Sequence, residues 1–85
     1  MAAYNVLIKR SAAKELDAVP KKDREKLVSK IQALSNDPRP PGSEKLAGND
    51  KYRIRYGVYR VLYEVDDATI VVVVVRVAHR RKAYR

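Results

Sequence analysis

Three arginines fall on one face of a predicted hairpin, two of them directly opposite each other, where an anion could bind between them. Arg53 and Arg55 lie two residues apart, so on a strand they project from one face. Gly57-Val58 suits a two-residue hairpin turn with glycine first. Pairing around that turn sets Tyr56 against Tyr59, Arg55 against Arg60, Ile54 against Val61, Arg53 against Leu62 and Tyr52 against Tyr63. Like charges directly opposite each other repel, and an anion between Arg55 and Arg60 removes that penalty. Guanidinium groups suit the task because they grip phosphate oxygens through two parallel N–H bonds. Lys51 falls on the same face. A second basic group ends the chain, with Arg76, Arg80, Arg81, Lys82 and Arg85 around His79 and Tyr84.

The charge distribution reinforces the pattern. Residues 51–60 carry four basic side chains and residues 76–85 carry five, with no acid in either segment. The other 65 residues (85 − 20) hold ten basic and ten acidic side chains, so the net +9 resides in the two segments. Concentrated positive charge interleaved with tyrosine suits a polyanion, above all RNA. The bland alternative is a solvated basic face. A pI near 10 alone also admits an anionic membrane surface or an acidic protein.

Composition narrows the classes further. With no cysteine there is no disulfide framework and no thiolate metal site. One histidine and scattered acids offer no compact ligand set, so no metal and no cofactor are expected. The first ten residues lack the layout of a signal peptide. The longest apolar stretch, residues 68–75, is far below the roughly 20 residues that span a bilayer. These features predict one soluble, cytoplasmic domain over residues 1–85, with no membrane role.

The elements that must position the arginines follow from periodicity. Residues 4–9 form a strand candidate. Ser11 suits the N-cap of a helix running to about Val19, with Ala12, Ala13, Leu16 and Val19 inward. Pro20 separates it from a second helix, about residues 21–35, whose Leu27, Val28, Ile31 and Leu34 form one apolar stripe. Asn36 and Asp37-Pro38 end that helix. A Pro- and Gly-rich loop follows, with Lys45-Leu46 as an anchor. Residues 51–56, 59–65 and 70–78 read as three strands joined by Gly57-Val58 and by a turn at 66–69. The order is βααβββ, an α+β fold in which an N-terminal helical hairpin packs on one face of an antiparallel sheet. Tyr52, Ile54, Tyr56, Tyr59, Val61, Tyr63 and Val65 then face the helices. Lys51, Arg53, Arg55, Arg60, Leu62 and Glu64 face away, joined by Val71, Val73 and Val75. An apolar strip beside a basic patch marks a protein partner, unless the C-terminal tail or a neighbouring strand covers it.

The element order, the KLAG…YRIR segment, YRVLYEVDD, the valine strand and the ending RVAHRRKAYR together resemble the RelE/ParE superfamily of bacterial toxins, and most closely its RelE branch. The resemblance covers essentially the whole chain. It implies a RelE-like toxin of a type II toxin–antitoxin system, an endoribonuclease without a metal that enters the ribosomal A site and cuts the bound mRNA. It also implies a cognate RelB-like antitoxin with an acidic segment, and operator-DNA binding only through the complex. By resemblance the catalytic residues are Arg53, Arg55, Arg60, Arg80 and Tyr84. Lys45, Lys51, His79, Arg81 and Lys82 complete the RNA contacts. Family members often carry lysine where this chain has Arg53 and Arg55. Arginine does not act as a base, which leaves Lys51, a ribosomal group or His79 as the titrating member. A lone histidine beside arginines is more often a surface residue. The alternatives are a ParE-type gyrase inhibitor and a non-catalytic RNA- or ribosome-binding module.

Overall fold

The computed structural model describes residues 3–46 and 50–79. Its elements are β1 (Asn5–Ile8), α1 (Arg10–Asp17), α2 (Lys21–Ala33), β2 (Glu44–Lys45), β3 (Lys51–Tyr56), β4 (Tyr59–Asp66) and β5 (Val71–His79). The strands form one sheet in the order β1-β5-β4-β3-β2.

The β3–β4 pairing has the register read from the sequence, from Tyr56 opposite Tyr59 to Lys51 opposite Glu64. Gly57 has φ +57°, as the first position of a type II′ turn requires. β4 and β5 continue the antiparallel meander. β1 lies parallel to β5, Asn5 to Val71 through Ile8 to Val74, so the sheet is mixed rather than wholly antiparallel. The two-residue β2 caps the other edge, antiparallel to β3.

β5 departs from simple alternation. Val72 and Val74 are buried, and a strand that kept their parity would carry Arg76 into the core. A bulge between Leu62 and Tyr63 of β4 and the facing residues prevents this: Tyr63 pairs with Val74 and Leu62 with Arg76. Val75, expected on the open face, is the extra residue of the bulge. Beyond it Val77 turns inward and Arg76 outward. β5 also begins one residue later than expected, because Ile70 adopts φ +57°, an outlying conformation for a β-branched residue.

Both helices cover one face of the sheet. Ala12, Leu16, Val19, Leu27, Ile31 and Leu34 pack on Tyr52, Ile54, Val61, Tyr63, Val65, Val72, Val74 and Val77. α1 starts one residue before Ser11, after Lys9, and its cap has no side-chain hydrogen bond, so Ser11 is inside the first turn rather than the N-cap. α2 follows Pro20 directly, and its last turn tightens as Leu34, Ser35 and Asn36 donate to Ile31, Gln32 and Ala33.

The loop after α2 is pinned at several points. Arg39 donates through both terminal nitrogens to Asp67, at 3.2 and 2.8 Å, and through Nε to the Tyr52 hydroxyl at 2.9 Å. Tyr4 donates to the same carboxylate at 2.6 Å. The buried Tyr63 hydroxyl donates to the Pro38 carbonyl at 2.7 Å. Burial pushes the Tyr63 phenol up to about 12, so it stays a donor at any physiological pH. These bonds fix where the loop returns to the sheet, and therefore where Glu44 sits.

Candidate nucleic-acid interface

The face of the sheet away from the helices carries Arg53, Arg55 and Arg60. Arg55 lies directly opposite Arg60, and Arg53 opposite Leu62. Arg60 is 7% exposed, the one buried charged residue among those described. It faces Ala78 on β5. Arg53 is partly covered and Arg55 half exposed. Lys51 is exposed on the same face, opposite Glu64; Arg76 leaves β5 beside Leu62, but its guanidinium turns to Glu15 of α1, 3.5 Å away.

Glu44 is the residue that sequence reading missed. β2 sets it opposite Arg53. One carboxylate oxygen accepts from Arg53 and the other accepts from Arg55 at 3.0 Å. Arg53, Arg55 and, more weakly, Arg60 hold the Glu44 carboxyl below the usual carboxylate range. A single anion therefore bridges two guanidiniums, with a third across the hairpin. The two carboxylate oxygens present to this guanidinium pair the geometry that two oxygens of another oxyanion could also present. The only sequence signal was an acid in a loop leading into a basic strand.

The other expected residues divide. Lys45 pairs with Tyr52, which places it on the helix side of the sheet rather than with the arginines. His79 pairs with Tyr59 and meets its ring edge-on at 5.8 Å, so it too lies on the helix side. It lines a cavity of about 270 Å³ with Glu15 and Arg76. Arg80, Arg81, Lys82 and Tyr84 lie outside the described residues. Among the described residues no three His, Asp or Glu come together as metal ligands, and no helix is long and apolar enough to cross a membrane.

Residues 6–84 match the family model described as the ParE toxin of the type II toxin–antitoxin system parDE. The chain belongs to that toxin family. It is 34% identical to Toxin RelG of Mycobacterium tuberculosis, over 96% of this chain and 97% of the relative. It is 29% identical to "Putative toxin RelE1" of Methanocaldococcus jannaschii, over 96% of each. Solved structures agree. The RelE–RelB complex of Pyrococcus horikoshii superposes with a TM-score of 0.84 at 30% identity, covering 92% of this chain and 96% of that one. The isolated E. coli RelE toxin gives 0.81 at 29% identity, covering 91% and 84%. By these relatives the chain is a RelE-like toxin of a toxin–antitoxin system, and its two helices and five-stranded mixed sheet are the RelE architecture.

Proposed function

We propose that this toxin cleaves mRNA in the ribosomal A site, with the scissile phosphate held by Arg53, Arg55 and Arg60. The observation that carries the reading is the single Glu44 carboxylate bridging Arg53 and Arg55 across from the buried Arg60. In the reaction the 2′-oxygen attacks phosphorus and the bond from phosphorus to the 5′-oxygen breaks. The attacking hydroxyl loses a proton and the leaving oxygen gains one. Three guanidiniums stabilise the charge on the phosphorane, a role that needs no metal. Glu44, ionised at neutral pH and displaced from the arginines by the incoming phosphate, is placed to accept the 2′ proton. Lys51 is the other titratable candidate on this face. Arg80 would stabilise the leaving oxygen and Tyr84 would stack on a splayed base.

The open face also suggests a partner. Leu7, 55% exposed, aligns with Val73, and Leu62 and Val71 extend the strip beside the basic residues. The structural relatives include toxins solved with RelB. A cognate antitoxin with an acidic, partly apolar segment would cover the strip, neutralise the arginines and exclude RNA together.

Primer extension on a defined mRNA, with and without translating ribosomes, tests the activity. Cuts within A-site codons only when ribosomes are present are expected, and Arg60→Ala and Arg55→Ala should each abolish them. Growth arrest with a DNA-damage response and intact mRNA would instead mark a gyrase inhibitor.

A further inference from the structure

Helix α2 carries a second basic feature outside the arginine cluster. Lys22, Lys26 and Lys30 recur every four residues and are all exposed. None of the three has an ion pair among the described residues. Positions four apart lie on one side of a helix, each about 6 Å further along its axis. That separation is comparable with the distance between successive phosphates of an RNA strand. Asp23 is half-buried, so Glu25 is the one exposed acid of the helix.

The row has a direction. At 3.6 residues per turn it drifts around the helix toward the sheet edge as it advances. Its last member, Lys30, lines a cleft of about 390 Å³ with Ala33, Pro40, Pro41, Ile54 and Arg55. Glu44 also borders that cleft. Arg55 therefore belongs to two surfaces at once, the arginine cluster and the end of the lysine row.

We propose that the substrate RNA leaves the arginine cluster through this cleft and lays its flanking sugar–phosphate backbone along Lys30, Lys26 and Lys22. The inference rests on the reading of the arginine cluster as the scissile-phosphate site, and it identifies the path of the strand beyond it. The lysines read no sequence; they add affinity and set the polarity with which the strand lies across the toxin. An RNA strand fits better than an acidic peptide, because three evenly spaced ammonium groups on a continuous ridge match a backbone of evenly spaced charges.

The test uses the full-length toxin and the variant Lys22→Gln/Lys26→Gln/Lys30→Gln, whose glutamines keep helix propensity near that of lysine. The probes are RNAs with a 2′-deoxy sugar at the scissile step. One spans that step alone, and two extend it on the 5′ or the 3′ side. Wild-type toxin should bind one extended RNA more tightly than the short one. The triple variant should lose that gain while binding the short RNA unchanged. The slope of log affinity against log salt on the favoured RNA should fall by about 2, at about 0.7 per lysine on a single strand. Equal weakening on short and extended RNA, or no change on either, would overturn the proposal. So would a loss confined to ribosome binding with the short message, or to antitoxin binding. Failure of the cleavage reading shows separately, as persistent cutting by Arg60→Ala and Arg55→Ala, whichever way the lysine experiment falls.

Discussion

At the scale of single residues, Glu44 decides how the basic face behaves before RNA arrives. Arg55 and Arg60 oppose each other on adjacent strands, an arrangement that raises the folding energy unless an anion lies near. Glu44 supplies that anion, and in the proposed cleavage it gives way to phosphate. Its neutral isostere therefore has three linked consequences. Glu44→Gln should bind a non-cleavable A-site RNA more tightly, because no internal carboxylate competes. It should melt at a lower temperature without RNA, because the arginines lose their counter-charge. It should also cut more slowly once bound, by about 10²-fold or more, if measured as single-turnover cleavage on programmed ribosomes. Unchanged single-turnover cleavage would transfer the base role to Lys51 or to the ribosome. The arginines themselves were legible in the sequence because strict alternation and one glycine turn fix their register. Glu44 was not, because a Pro- and Gly-rich loop has no periodicity to say where it returns.

At the scale of elements, the hairpin followed from local chemistry while β5 did not. β3 and β4 alternate polar and apolar residues, so each position declares its face. The five consecutive valines of β5 declare nothing, since either parity buries a valine. Only Arg76, at the parity of Val72 and Val74, signals that the strand must slip, and the bulge at Val75 is that slip. The parallel placement of β1 was equally hidden, because a four-residue apolar strand pairs in either direction. The loop between α2 and β2 is held by side chains from distant strands, and one bond is open to direct test. Tyr63→Phe removes the hydroxyl that pairs with the Pro38 carbonyl and leaves that buried acceptor unmatched. It should lower stability by about 1–3 kcal/mol, read from the denaturant midpoint. The same variant should loosen the loop that presents Glu44, seen as faster amide exchange over residues 38–45.

At the scale of the whole molecule, a chain with net charge +9 depends on its few well-placed carboxylates. Two of them, Glu44 and Asp67, tie the loop between α2 and β3 to the rest of the sheet. Arg39, then Tyr4, hold the Asp67 carboxyl below its ordinary value of 3.8, and Arg53 does the same for Glu44 relative to 4.5. A carboxyl whose folded-state pKa is depressed binds protons more readily when unfolded. Its contribution is therefore complete above the ordinary value and disappears as pH falls through the depressed one. The melting temperature should accordingly be flat with respect to these two groups from neutral pH down to about 5, then fall steeply below about 4. Protonation there also raises the net charge and the self-repulsion of the fold. Asp67→Asn should lower the melting temperature at pH 7 and flatten the acid limb, because the group that titrates is gone while Arg39 keeps only a neutral partner. Tyr4→Phe, which removes a supporting hydrogen bond but leaves the ion pair, brings the folded-state value of Asp67 closer to its ordinary one, so the acid limb should begin at the same pH, end at higher pH and be shallower than in the wild type. An acid limb unchanged in Asp67→Asn would mean that the loop is held by its buried tyrosines rather than by charge. Arg39 and Asp67 would then be bystanders to the placement of Glu44.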